Sequence, residues 1–125
     1  MKTPRQILDE QMSEKELLAN VLRLLELFKW DFVYHVFDSG ARIVCPKCDF
    51  PVPGRYARRI GEGFPDIIAG RVRDRRMLTT ELKSQKGKEA DTQKKWRDFF
   101  AFIGWETYMW RPSDWSSGEI ERILR

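Results

Sequence analysis

Residues 63–83, which read GFPDIIAGRVRDRRMLTTELK, decide the fold of this chain. The segments 65–72 and 77–83 are apolar and rich in β-branched residues, as strands are. The polar stretch Arg73-Asp74-Arg75-Arg76 separates them and has the composition of a turn. The pattern predicts a β-hairpin.

The hairpin carries acidic residues where packing does not require them. Side chains alternate along a strand, so Glu81 and Lys83 share one face and Leu82 points to the other. Antiparallel pairing can bring Asp66, which follows Pro65 at the start of the first strand, beside that face. Carboxylates on adjacent strands form an oxygen site suited to Mg²⁺ or Mn²⁺. A lysine beside them can hold a water molecule and stabilise charge on an attacked phosphate. The alternative interpretation is a solvated strand edge, where a glutamate and a lysine two residues apart are also typical.

Helical signals lie on both sides of the hairpin. Ser13 and Glu16 form a capping box, and apolar residues at helical spacing predict a helix from there to about Lys29. After the hairpin, Asp91 or Thr92 can cap a helix that ends at Gly104. The predicted buried face of that second helix consists of Trp96, Phe99, Phe100 and Ile103.

Two further strands and a last helix complete the predicted order. Segments 30–37 and 106–110 are β-branched and aromatic, which is typical of strands. Ser116-Ser117-Gly118-Glu119 is a second capping box, expected to open a short final helix. The order predicts an α/β domain with a mixed sheet flanked by helices. At 125 residues the chain is expected to form a single domain, interrupted by an insertion at about 38–62.

Composition limits the class of protein. The chain is 42% hydrophobic with five Trp and eight Phe, which excludes a disordered chain. Because no apolar run approaches the roughly 20 residues of a membrane span, and a charged segment follows Met1, we expect a cytoplasmic protein without a membrane partner. Lys and Arg number 23 against 19 acidic residues, a net charge of +4 that leans toward a polyanionic partner.

Cys45 and Cys48 lie in the predicted insertion with the spacing of half a zinc ribbon. Tetrahedral zinc needs two more ligands. The chain offers only His35 as an obvious one, although a second subunit could supply another cysteine pair. Unmetallated thiols and a disulfide or redox pair are the alternative interpretations.

Several motifs in this order resemble the VRR-NUC group of the PD-(D/E)XK nuclease superfamily. They are Gly63-Phe64-Pro65-Asp66, Glu81-Leu82-Lys83, Gln93 in the following helix, and the segment 108–115, which reads YMWRPSDW. The resemblance implies a restriction-endonuclease-like αβββαβ core. It also implies a small Mg²⁺- or Mn²⁺-dependent DNA nuclease of the kind that phages and prophages encode, related to Holliday-junction resolvases.

The resemblance further implies roles for single residues. Asp66 and Glu81 would bind the metal ion together with the backbone carbonyl of Leu82, and Lys83 would be the catalytic base or position the water. A glutamate on the first helix would lie near the metal ion, and we favour Glu14 because Glu16 already belongs to the capping box. Gln93 matches a family glutamine, and its alternative interpretation is an exposed helical residue.

DNA is the expected partner. The resemblance would put His35 near the substrate, and Ser39 and Arg42 just beyond it are of the right type to touch phosphate. Two arginine groups flank Asp66 in the sequence and predict a positive rim around it, namely Arg55, Arg58 and Arg59, and Arg73, Arg75 and Arg76. The second group is equally consistent with a solvated hairpin tip.

The expected activity is structure-selective cleavage of junctions, flaps or nicked DNA. A resolving role needs two active sites and so predicts a homodimer. The rival functions are a catalytically silent DNA-binding or assembly module, and a nuclease subunit active only in a larger complex.

Overall fold

The computed structural model describes residues 1–35, 47 and 62–125. In chain order its elements are α1 (Pro4–Gln11), α2 (Glu14–Leu27), β1 (Phe32–His35), β2 (Ile67–Arg71), β3 (Arg76–Leu82), α3 (Asp91–Phe102), β4 (Glu106–Trp110), α4 (Pro112–Ser116) and α5 (Glu119–Leu124). The order helix, three strands, helix, strand is the one that the sequence predicts.

The strands in the described part of the chain form one mixed sheet in the order β1-β2-β3-β4. β1 pairs with β2 and β2 pairs with β3 antiparallel, whereas β3 pairs with β4 parallel. A parallel neighbour requires a crossover connection, which α3 provides. The predicted α/β class, with a mixed sheet flanked by helices, is confirmed.

One face of the sheet carries the main core. Leu17, Val21 and Leu25 recur along α2 at helical spacing and are buried in the same cluster as Ile67 and Leu78 from the sheet. Ile120 and Leu124 of α5 complete this cluster. Side chains alternate along β3, so Glu81 points to the face of the sheet opposite Leu78 and Leu82. On that face Gln93 of α3 contacts Glu81.

Two short helices escape prediction. In α1, Thr3 Oγ1 accepts from the Gln6 N–H at 3.2 Å, and Gln6 Oε1 accepts from the Thr3 N–H at 2.8 Å. These two bonds form a capping box. Together with Pro4 at the first position of the helix, that motif is the sequence signal that could have predicted α1. In α4, Pro112 follows Arg111, whose N–H donates to Asp114 Oδ2 at 2.8 Å.

Three predicted details of the helices are wrong. The N-cap of α3 is Ala90, so Asp91 and Thr92 lie inside the helix. Phe99 and Ile103 remain 50% and 44% exposed, whereas Phe100 is buried.

The predicted capping box at Ser116 is also wrong. Ser116 ends α4, and α5 begins after Gly118, which adopts φ +81°. Glycine adopts that left-handed conformation with little strain. Gly118 is therefore the N-cap of α5, in place of a serine.

Nearly all of the predicted insertion lies outside the described residues, with Cys45 and Cys48. The candidates for DNA contact that also lie outside are Ser39, Arg42, Arg55, Arg58 and Arg59. Among the helices that the structure describes, none is both long and apolar enough to cross a membrane.

Candidate active site

The β2–β3 hairpin brings the two predicted metal-binding carboxylates together. Asp66 immediately precedes β2, and the register pairs its neighbour Ile67 with Thr80. Asp66 Oδ2 accepts from the backbone N–H of Leu82 at 2.7 Å. This bond joins the Asp66 carboxylate to the strand that carries Glu81.

Lys83 lies beside Glu81. Lys83 Nζ is 3.7 Å from Glu81 Oε1, and only 13% and 9% of the two side chains are exposed. The backbone N–H of Lys83 donates to the carbonyl of Trp110 at 3.0 Å, which ties the residue after β3 to the end of β4. The lysine is therefore held close to the carboxylates by the sheet itself.

Gln93 joins the site from α3. Its Nε2 donates to Glu81 Oε1 at 2.5 Å, and its Oε1 accepts from the Ala90 N–H at 2.8 Å. The amide thus caps its own helix and orients Glu81 at the same time. The alternative of an exposed helical glutamine is ruled out, since Gln93 is half-buried.

The segment before Asp66 packs tightly on α3. Gly63 has φ +83°, and a Cβ there would lie 2.5 Å from the Thr92 carbonyl carbon. Trp96 Nε1 donates to the carbonyl of Glu62 at 2.9 Å, and the Phe64 ring meets the Trp96 ring edge-on at 5.1 Å. Only glycine permits this approach, which positions Asp66 relative to the helix of Gln93.

Glu14 reaches the same region from α2. Its Oε1 accepts from the backbone N–H of Ser84 at 3.3 Å, one residue beyond Lys83. Glu16 instead lies at the cap, where its N–H donates to Ser13 Oγ at 3.1 Å. Of the two candidate glutamates, the structure brings Glu14 to the site.

Burial and neighbouring negative charge raise the pKa values of both carboxyl groups, with Glu14 acting on Asp66 and Asp66 acting on Glu81. Burial, followed by the charge of Asp66, raises the pKa of Glu81 to about 8, although Lys83 opposes the shift. Burial also raises the pKa of Asp66, against the opposing effects of the Leu82 N–H and the Lys83 charge. The site therefore disfavours the charged forms of both carboxyl groups, and a bound cation would favour them.

The donor set fits a magnesium-type ion. Among residues 1–35, 47 and 62–125, no three His, Cys, Asp or Glu side chains are grouped closely enough to hold a metal ion by themselves. Mg²⁺ is commonly held by one or two carboxylates and completes its octahedron with water and substrate phosphates. Asp66 and Glu81 supply two carboxylates.

The predicted DNA contacts separate into near and distant residues. His35 ends β1 opposite Ile67, and its charge acts on Asp66. Arg76 lies five residues before Glu81 on β3, about 17 Å away at 3.3 Å per residue, and Arg73 and Arg75 lie farther out in the turn. The structure does not bring the hairpin arginines to the carboxylates.

Two of these distant arginines also have partners within the chain. Arg76 binds Glu106 through Nε and Nη2, at 2.9 and 2.7 Å, and its guanidinium lies 5.0 Å from the centre of the Trp30 ring. Arg73 Nη2 donates to the carbonyl of Arg125 at 3.2 Å. These contacts lie at the end of the hairpin away from Asp66, and the predicted role of this group in binding DNA stays a prediction.

Two residues near the site were not predicted. Glu89 adds to the negative charge that acts on Glu81, and it pairs with Arg97 at 3.0 Å. Arg111 binds the loop that follows Lys83. No local pattern identifies either residue, although Arg111 belongs to the YMWRPSDW segment.

Comparison of this chain with protein-family models, with curated protein sequences and with solved structures finds no match in any of the three.

Proposed function

We propose that this chain is a Mg²⁺- or Mn²⁺-dependent DNA endonuclease that hydrolyses phosphodiester bonds. The observation that carries the proposal is the convergence of Asp66, Glu81 and Lys83 at one end of the hairpin, with Glu81 held by Gln93. A surface that only binds DNA would repel phosphate with these carboxylates. Their burial beside a lysine is therefore better explained by a bound cation and by catalysis.

In this proposal Asp66 and Glu81 hold the metal ion, and the backbone carbonyl of Leu82 is a third candidate ligand. The ion would supply Lewis-acid chemistry, which polarises a phosphoryl oxygen and lowers the pKa of bound water. Gln93 fixes the orientation of Glu81, and the Leu82 N–H fixes that of Asp66. The protein thereby offers oxygen ligands that are already oriented before the ion binds.

Lys83 is proposed to orient the attacking water and to stabilise negative charge on the phosphate. The oxygen of the water bonds to phosphorus and the water gives up a proton to solvent, while one P–O ester bond breaks and the departing oxygen takes up a proton from solvent. A positive charge on largely buried Lys83 acts strongly because little solvent screens it. Glu14 would help to hold the residue after Lys83 through the Ser84 N–H.

The test is cleavage of a labelled panel of duplex, nicked duplex, flap, four-way junction and single-stranded DNA, with Mg²⁺, Mn²⁺ or EDTA. We expect metal-dependent cutting by the parent, and loss of cutting in Asp66→Asn, Glu81→Gln and Lys83→Met. Arg122→Ala is the matched control, since Arg122 pairs only with exposed Glu119 on α5 in the described residues. The preferred DNA would identify the substrate structure, and the mass of the active species would test the proposed homodimer.

Folded parent protein that binds DNA and never cuts it would refute the proposal in favour of a binding or assembly module. Cutting that appears only after a partner protein is added would identify a subunit of a larger complex. Cutting that survives both EDTA and Lys83→Met would place the activity elsewhere.

A further inference from the structure

Backbone carbonyls of the loop that follows Lys83 accept hydrogen bonds from one guanidinium nitrogen. Arg111 Nη1 donates to the carbonyls of Ser84, Gln85 and Gly87, at 2.8, 3.2 and 2.7 Å. Three carbonyl dipoles thus point at one positive charge, and hydrogen bonds to a charged donor are stronger than neutral ones. Arg111 directly follows β4, and Lys83 directly follows β3. The two strands pair in parallel.

A second connection fastens the same loop to the start of α4. Gln85 Nε2 donates to Ser113 Oγ at 3.2 Å, and the Ser113 N–H donates to Gln85 Oε1 at 3.0 Å. The Gly87 N–H donates to the carbonyl of Ser84 at 3.1 Å and closes a tight turn. A Cβ at Gly87 would lie 2.8 Å from Ser84 Oγ, so the turn is compact.

This turn joins the parts of the candidate site that the sheet does not join. It begins one residue after Lys83, and its Ser84 N–H donates to Glu14 of α2. It leads into α3, from which Gln93 binds Glu81. A change in the turn would therefore displace Glu14 and Gln93 together, whereas Asp66 and Lys83 would keep their bonds to Leu82 and Trp110.

We propose that Arg111 is a positioning residue for the site, acting through the turn 84–87. This inference rests on the proposed nuclease function for its kinetic consequence. Arg111 lies outside the buried core cluster, and the Lys83 N–H is bound to Trp110 independently of it. Loss of the guanidinium loosens the turn and leaves the sheet intact.

The kinetic test compares Arg111→Ala and Arg111→Lys with the control Arg122→Ala. At saturating DNA and Mg²⁺, Arg111→Ala should lower kcat roughly 10- to 100-fold and change KM less than about twofold, because misplacing a catalytic group by about 1 Å has effects of that size. Arg111→Lys should recover most of the rate, since an ammonium carries three N–H donors for three carbonyls. Millimolar guanidinium chloride should partly restore Arg111→Ala, whereas the same concentration of urea should not.

A second readout does not depend on cleavage. Amide hydrogen exchange at Gly87, whose N–H closes the turn, should accelerate in Arg111→Ala and stay slow in Arg111→Lys. Exchange at Leu82, within the hairpin, should be unchanged. If the parent does not cut DNA, the proposed function fails, yet these exchange rates still test whether Arg111 holds the turn.

Three results would overturn the inference. The first is an unchanged kcat in Arg111→Ala together with unchanged exchange at Gly87. The second is a loss that guanidinium and Arg111→Lys both fail to repair. The third is global unfolding of Arg111→Ala, which would make Arg111 a residue of overall stability and not a positioning residue.

Discussion

Asp66 Oδ2 and the backbone N–H of Leu82 form a 2.7 Å hydrogen bond across the β2–β3 hairpin. The bond stabilises the charged form of the Asp66 carboxylate, while Glu81, the residue before Leu82 in β3, is buried nearby with a pKa raised to about 8. Two acids of unequal basicity thus share one end of the hairpin. In such an arrangement repulsion between the charged carboxylates lowers the stability of the metal-free protein, and a bound cation would relieve that repulsion.

Replacing Asp66 by Asn should therefore separate stability from metal binding. Without metal, we expect Asp66→Asn to melt at the same temperature as the parent or higher, because the like charge beside Glu81 is removed and the amide oxygen can still accept from Leu82. Added Mn²⁺ should raise the melting temperature of the parent and not that of the variant. Thermal unfolding with EDTA and with Mn²⁺ measures both effects.

Asp74→Asn is the matched control at the other end of the hairpin. Asp74 accepts from Arg71 Nε and Nη2 at 3.0 and 2.7 Å, so this variant should lose stability and keep its response to Mn²⁺. An Asp66→Asn protein that Mn²⁺ stabilises as much as the parent would contradict the assignment of Asp66 as a metal ligand.

The stability of the metal-free protein should fall as the pH rises. The pKa of Glu81 is about 8 in the folded chain against an ordinary 4.5, so the folded state retains a proton that the unfolded state has released. The free energy of unfolding should be highest near pH 5, decline toward pH 8 and level off above it. Urea unfolding in EDTA at pH 5, 7 and 9 measures the decline.

Glu81→Gln removes the titrating group and should flatten this dependence. The lowered pKa values in the chain, such as that of Glu106 beside Arg76, affect stability below this window and leave the comparison intact. Parallel pH profiles for the parent and Glu81→Gln would show that Glu81 is not the group responsible.

Gly63→Ala should destabilise the chain much more than Gly104→Ala. Both glycines have positive φ, +83° and +88°, but a Cβ at Gly63 would meet the backbone of α3 at 2.5 Å, whereas nothing lies within 4 Å at Gly104. We expect a loss of about 1 kcal/mol for Gly104→Ala from the backbone conformation alone, and at least twice that for Gly63→Ala. Urea unfolding of both variants measures the difference, and equal losses would contradict the close approach.

Arg71→Met should be among the most destabilising single changes in the hairpin. Arg71 is 3% exposed, and its Nη1 donates to the carbonyls of Phe28, Leu124 and Arg125 at 3.2, 3.0 and 3.3 Å. Loss of the guanidinium would remove these three hydrogen bonds and the ion pair with Asp74 from a site where the Arg71 side chain is buried, at a cost of roughly 2–4 kcal/mol.

Arg73→Met is the control for that change, because exposed Arg73 makes one bond to the carbonyl of Arg125 at 3.2 Å. Arg73→Met should lower the free energy of unfolding by less than about 0.5 kcal/mol, as most changes at exposed polar contacts do. Similar unfolding free energies for the two variants would show that the bonds of Arg71 contribute little to stability.

The sequence by itself determined the elements whose signals are local. Alternation along 65–83 identified the hairpin and placed Glu81 and Lys83 on one face, and helical spacing identified α2 and α3. These patterns succeed because strand and helix periodicities relate residues two to four positions apart. The same local character explains why Gly104 was identified as the end of α3, where it follows the C-cap with φ +88°.

Contacts between distant segments follow from the packing of the folded chain. The bond between Glu14 and Ser84 spans 70 residues, and it depends on how α2 packs on the sheet. The exposure of Phe99 and the hydrogen bonds from Arg111 to the turn 84–87 likewise follow from packing. No local period encodes such contacts, because their geometry is set by the whole buried core at once.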